Sequence, residues 1–111
     1  MIGIDVVETK RFKKVNPKIF DQRELDHAFS YSDPEVHLAG FWAAKEAFLK
    51  AQGEGITTLA LQEICVLHDQ KGRPYLDISD EQKEKLGVLG KKIEISISHT
   101  KDIATAVCII N

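Results

Sequence analysis

Hydrophobic and polar positions change period several times along the chain, and each change marks an element. Ile2, Ile4 and Val6 alternate with Gly3, Asp5 and Val7, the two-residue period of a β-strand. A polar, basic stretch follows and predicts a short solvated helix that stops at Asn16-Pro17. Asp21 is placed to cap a second helix through Leu25, Ala28 and Phe29, ending near Ser30. From Asp33 the pattern becomes one long helix. Asp33 stands at the N-cap and Pro34 at the first helical position, Gly40 is the only breaker before Ala51, and Gly53 and Gly55 stop it. This helix is apolar nearly all round, so the rest of the chain should wrap it.

The second half reads as strands and turns. Ile64, Val66 and His68 alternate with Cys65 and Leu67, a turn covers Asp69 to Gly72, and Pro74 to Ile78 returns as the other arm of a hairpin. His68, at a strand end, is expected at the surface. Ser79 to Leu86 predicts a short polar helix, with Ser79 and Gln82 spaced as a capping box and Gly87 as its stop. Ile93, Ile95 and Ile97 face away from Glu94, Ser96 and Ser98. After a turn at Thr100 to Asp102, the continuously apolar run Ile103 to Ile110 predicts a buried strand.

A length of 111 residues predicts a single domain over residues 1–111. A chain this short leaves much of its surface exposed, so oligomerisation would help to bury the apolar helix. The net charge of −2 gives no global field toward nucleic acid or membrane. The longest run free of charge, Val36–Ala44, is too short to span a bilayer. Cys65 and Cys108 lie in apolar runs without metal spacing, as reduced core thiols of a cytoplasmic protein do. MIGIDVVE has no basic lead and too short an apolar run for a signal peptide.

Charge matters locally. Between Lys10 and Arg23 six basic residues (Lys10, Arg11, Lys13, Lys14, Lys18 and Arg23) face Asp21 alone, a local charge of +5 that suits an acidic partner or simply a solvated face. Asp5 is a carboxylate inside an apolar strand, a costly position unless paired, hydrogen-bonded or bound to a cation. Lys45, Glu46 and Lys50 interrupt the apolar helix. Glu46 and Lys50, four apart in the Glu-first order, share a face and on spacing alone read as a solvated pair. Ser98, His99 and Thr100 sit at a sheet rim, where such residues form turns or hold a phosphate.

GID at residues 3–5, WAAKEAFLKAQGEGI at 42–56, GRP at 72–74 and SISHT at 96–100 occur in one order. Together they resemble the stand-alone holo-acyl-carrier-protein synthases, the small phosphopantetheinyl transferases, over nearly the whole chain. The resemblance implies an α+β fold, with a small antiparallel sheet packed on a long central helix, and transfer of phosphopantetheine from coenzyme A to a serine of an acidic acyl carrier protein. It implies magnesium, release of 3′,5′-ADP, and trimers with sites between subunits. By that resemblance Asp5 and Glu46 would hold Mg²⁺, and Glu46 and Lys50 would be catalytic. Lys50 and Gly53 would meet the pyrophosphate, Ser98, His99 and Thr100 the 3′-phosphate and adenosine, and Gly72, Arg73 and Pro74 the adenine. Lys10, Arg11, Lys13, Lys14 and Arg23 would dock the carrier protein. The base for the serine proton is Glu46 or a metal-bound water. Two departures stand out: Phe41 occupies a position that is commonly Arg, and Arg73 one that is commonly Lys. A third metal carboxylate is not implied, because Val7 stands where two-domain transferases often carry an acid. The Phe41 departure is the one support for an alternative function, a catalytically weak homologue that binds coenzyme A or a carrier protein.

Overall fold

The computed structural model describes residues 1–53 and 61–111; Gly55, expected as part of the long helix's stop, lies outside them. Among the described residues the order is β1 (Ile2–Glu8), a 3-10 turn (Thr9–Phe12), α1 (Gln22–Phe29), α2 (Pro34–Gln52), a 3-10 turn (Leu61–Glu63), β2 (Cys65–His68), β3 (Pro74–Asp77), α3 (Asp80–Lys85), β4 (Ile93–His99) and β5 (Ile103–Ile110). The fold is α+β. β1, β5 and β4 form an antiparallel sheet in that order, and β2 and β3 form a separate antiparallel hairpin.

Helix α2 organises the core. Gly53 ends it in the left-handed conformation, φ 86°, with its N–H donating to the Leu49 carbonyl. Phe48, Leu38 and the alanines at 39, 43, 44 and 47 are buried against the sheet, the first 3-10 turn and the hairpin. Small residues let β1 lie close. A Cβ at Gly3 would collide with the Ala47 carbonyl oxygen and come within 2.6 Å of the Ala51 amide nitrogen. β1 therefore presents Gly3, Asp5 and Val7 to the helix.

The strongest departure from the sequence pattern is Lys45. It is fully buried, and its ammonium donates to Glu24 Oε1 at 2.6 Å and to the carbonyls of Ile19 and Leu61 at 2.8 and 2.9 Å. Glu24, equally buried, accepts from the Asp21 and Val66 amides, each at 2.9 Å. Burial pushes Lys45 down and Glu24 up toward their neutral forms, and their mutual attraction opposes both shifts. Every donor and acceptor of the pair is satisfied, which is what makes so dry a site tolerable.

Three expectations need correction. β5 is not buried on both faces: Ala104, Ala106, Cys108 and Ile110 point inward, while Ile103 and Ile109 are exposed. The reason is that α2 covers only one side of the three-stranded sheet. The short helix expected to run to Asn16-Pro17 is a four-residue 3-10 turn that ends at Phe12. The capping box at α3 is half-formed. Ser79 accepts from the Gln82 amide, but the Gln82 side chain donates to Glu63 instead of returning to the cap. At α1 the box is complete between Asp21 and Glu24.

Lys45→Met should cost about 3–5 kcal/mol of stability by stranding the buried Glu24 carboxylate. Chemical denaturation should show that loss, whereas Lys85→Met, at an exposed pair with Glu81, should leave the midpoint unchanged.

Candidate active site

The close packing of β1 on α2 carries Asp5 against the C-terminal half of the helix. The Lys50 ammonium donates to Asp5 Oδ1 at 3.0 Å and to the Ile4 carbonyl at 3.1 Å. The ion pair of Lys50 is thus with Asp5 across the β1–α2 seam, not the expected one with Glu46 along the helix. The Asp5 side chain is only 14% exposed. Glu46 is half-buried in the same neighbourhood. Burial raises its carboxyl above the ordinary range, the Asp5 charge raises it further, and Lys50 and Arg11 oppose the rise. Arg11 is held over the Trp42 and Phe12 rings, 5.6 and 5.8 Å from their centroids.

Two carboxylates from packed elements, one on a strand and one on a helix, fit the chemistry of Mg²⁺, which takes one or two protein carboxylates and fills its shell with water and phosphate oxygens. The elevation of Glu46 by Asp5 marks a spot where a cation would relieve repulsion. No group of three or more His, Cys, Asp or Glu arranged for a metal exists among the described residues. At Gly53 a Cβ would meet no atom of the described residues within 4 Å, so its position is fixed by the positive φ.

Three of the other expected ligand-binding residues gather at the opposite end of α2. Gly72, Pro74 and His99 line a cavity of about 290 Å³ with His27, Tyr31, His37, Gly40, Phe41, His68 and Ile97. His68 is not a free surface residue, because its ring stacks on His27 at 4.1 Å with 7° between planes. Tyr31 stacks on His37 at 3.8 Å, and His37 meets His99 edge-on at 5.5 Å. Arg73, Ser98 and Thr100 do not line this cavity. The Arg73 amide donates to Asp69 Oδ1. Ser98 lies on the outer sheet face opposite Thr105. Thr100 Oγ1 accepts from the Asp102 and Ile103 amides and closes the β4–β5 turn. His37 and Lys50 are thirteen residues apart on one helix, roughly 20 Å at 1.5 Å per residue. Within one chain, then, Asp5, Glu46 and Lys50 form one group, and Gly72, Pro74 and His99 another. His27, His37, His68 and Tyr31 were not foreseen. They come from separate elements with no common spacing, and the only signal in the sequence is that the chain has four histidines, all of which converge here.

The basic residues divide as well. Lys13 and Lys14 are exposed, and Lys10 is exposed beside Glu8 at 3.2 Å. Arg23 is paired with Asp21 at 2.9 Å and Asp77 at 3.4 Å, in a groove that Glu63 and Glu81 also line. Its side-chain hydrogen bond holds the Asp21 carboxyl below the usual range.

Comparison with known proteins gives one consistent result. Residues 1–108 match the 4′-phosphopantetheinyl transferase superfamily. A holo-[acyl-carrier-protein] synthase of Treponema denticola is 38% identical over 98% of this chain and 95% of its own length. One of Caldanaerobacter subterraneus subsp. tengcongensis is 35% identical over 97% and 91%. The crystal structure of the Helicobacter pylori holo-[acyl-carrier-protein] synthase in complex with coenzyme A superposes with a TM-score of 0.85 at 28% identity, covering the whole of both chains.

Glu46 should titrate above the usual glutamate range in a carboxyl NMR titration. Asp5→Asn should lower its midpoint by removing a neighbouring negative charge, and Lys50→Met should raise it. Burial, the first cause, remains in both variants, so the shift in Asp5→Asn should be partial.

Proposed function

The chain belongs to the holo-[acyl-carrier-protein] synthase family of the 4′-phosphopantetheinyl transferase superfamily, and from that membership we propose that residues 1–111 form one domain that moves the 4′-phosphopantetheine group of coenzyme A onto a serine of an acyl carrier protein, releasing 3′,5′-ADP. The observation that carries this reading is the meeting of Asp5, Glu46 and Lys50 across the β1–α2 seam.

The chain needs no nucleophile of its own, since the carrier serine attacks the β-phosphorus of coenzyme A. The base for the serine proton is Glu46 or a metal-bound water: burial and the Asp5 charge raise the Glu46 carboxyl, which favours proton uptake, but a Glu46 engaged by Mg²⁺ would lose that rise. Lys50 is the fixed cation that faces the charge building on the leaving pyrophosphate oxygen. Asp5 holds the Lys50 ammonium at the seam. Asp5 and Glu46 would hold Mg²⁺, which when bound supplies further charge neutralisation on the pyrophosphate.

Two features support an assembly of several chains. The outer face of the β1–β5 pair exposes Ile2, Ile4 and Val6 at 69%, 62% and 62%, together with Ile103 and Ile109, a contiguous apolar surface of the kind that marks an interface. The two residue groups at opposite ends of α2 would then face each other between chains. We take the assembly to be the trimer that the family resemblance implies, working in the cytoplasm. Cys65 and Cys108 are free and buried, and no helix among the described residues is long and apolar enough to cross a membrane.

Asp5→Asn and Glu46→Gln should each abolish release of 3′,5′-ADP at saturating coenzyme A, carrier protein and Mg²⁺, while circular dichroism stays native. Near-normal turnover of either variant removes that residue from the site.

Lys13 and Lys14 are the exposed part of the basic stretch, and charges of this kind act within ~8–10 Å at physiological ionic strength, mainly on association. Lys13→Glu with Lys14→Glu should raise the Michaelis constant for the carrier protein and flatten its response to salt. The affinity for coenzyme A should barely move. A two-substrate steady-state titration at low and moderate salt separates the two effects; an unchanged carrier constant would show docking through other residues.

A further inference from the structure

The stretch from Lys13 to Asp21, with Lys13, Lys14 and Lys18 exposed on it, belongs to no strand or helix. Its amides at Lys13 and Ile19 donate to nearby carbonyls, those of Lys10 and Asn16. A segment held by local turns of this kind takes its shape from its anchors. Both anchors lie on α2. Before the stretch begins, the Phe12 ring packs 6.0 Å from that of Trp42. Near its end Phe20 is buried, and the Ile19 carbonyl accepts from the Lys45 ammonium at 2.8 Å. The same ammonium lies 5.2 Å from the centroid of the Phe20 ring.

Lys45 is the residue before Glu46. Its ammonium also donates to Glu24 Oε1 at 2.6 Å and to the Leu61 carbonyl at 2.9 Å, which uses all three of its donors. Glu24 in turn accepts from the amide of Asp21, where the stretch ends. Lys50, by contrast, is held at the β1–α2 seam by its own bonds to Asp5 and Ile4. The buried pair is thus a joint between the basic stretch and the turn of α2 that carries Glu46, separate from the bonds that hold Lys50.

We propose that Lys45 and Glu24 are positioning residues for the transfer: they keep the carrier-docking stretch in register with Glu46. This rests on the reading that an acyl carrier protein docks on that stretch and that Glu46 works at the site. Both side chains are completely buried, so they act through geometry and touch no substrate. The serine arrives on a separate protein, and its place is set by where that protein docks. Reaction needs the attacking oxygen about 3–3.5 Å from the phosphorus, and a misplacement of about 1 Å costs roughly 10²-fold in rate. A buried ion pair adds little net stability over an apolar pair, but here one arrangement alone satisfies all its partners. An apolar side chain at position 45 would fill the same space and release the Ile19 carbonyl, and with it the stretch.

The double variant Lys45→Met with Glu24→Gln tests this. It removes both charges at once, so no lone ion is buried, and a glutamine still suits the capping box at Asp21. Its circular dichroism should stay native, and its affinity for coenzyme A by isothermal titration should stay within about twofold of the native value. Turnover at saturating carrier protein should fall about tenfold or more, and the Michaelis constant for the carrier should rise several-fold. Val88→Ala truncates a buried side chain between α3 and β4 and lowers stability away from the pair; it should keep native carrier kinetics. Native turnover and a native carrier constant in the double variant would overturn the proposal and leave the transferase reading intact. Equal losses in Val88→Ala, or a coenzyme A affinity that falls as far as the turnover, would overturn it too. If the double variant does not fold, Lys45→Arg takes its place, since it keeps the charge but brings a larger, planar head group to the same three acceptors. Slower transfer to the carrier with unchanged coenzyme A affinity then supports the proposal, and native kinetics overturn it. Failure of the native chain to release 3′,5′-ADP from coenzyme A with any acyl carrier protein would overturn the transferase reading itself, and this proposal with it.

Discussion

The buried pair of Lys45 with Glu24 is the constraint on which the rest of the structure depends. One ammonium satisfies a carboxylate on α1 and two carbonyls, at Ile19 and Leu61, while the same carboxylate receives the first strand of the hairpin through Val66. Four segments are thereby fixed to one point on α2. A helix turns about 100° per residue, so anchoring residue 45 on the α1 side sets the rotational phase of its neighbours. Glu46 then turns away toward Arg11 and β1, and Lys50, one turn on, reaches Asp5. A charge so thoroughly desolvated contributes little net stability, but only one packing satisfies all its partners, and that specificity places the reactive face of the helix.

The second constraint is the contact of Gly3 with Ala47 and Ala51. Small residues bring β1 onto the helix backbone, which puts Asp5 within reach of Lys50. The strand period then forces Ile2, Ile4 and Val6 to the far side, where nothing in this chain covers them. The seam that joins Asp5 to Lys50 thus also exposes the apolar face on which the proposed assembly rests, and both follow from the direction of the β1 pleat.

Much of this was legible in the sequence, and the parts that were not have physical reasons. Pro34 and Gly53 bound α2 as their local chemistry dictates, although the Asp33 side chain makes no capping bond and lies 3.7 Å from His37 instead; Asp21 and Glu24 form the capping box, and the strands fall where the two-residue period and the last apolar run put them. Local signals of this kind act within a few residues and can be read one window at a time. The fate of Lys45 could not, because its partners lie 26, 21 and 16 residues away. Nothing in the spacing distinguishes it from Lys50, which reaches the surface. The continuous apolar run of β5 was legible as a strand but not as one with an open face, since hydrophobicity does not say whether the cover comes from the same chain. The histidine cavity was illegible for a third reason: four elements each contribute one ring, and only tertiary packing makes them a set.

The central claim is that Asp5, Glu46 and Lys50 work with the histidine end of a different copy of the chain. Co-expression of Glu46→Gln with His99→Ala under separate tags, and purification of assemblies that contain both, tests it most directly. Each variant alone should be close to inactive. A mixed trimer should recover about a third of the native rate, because a closed ring of three that contains both variants has one interface in three joining one intact half to the other. Mixed assemblies as inactive as either parent, or a monomer that retains full turnover at the working concentration, would contradict the account.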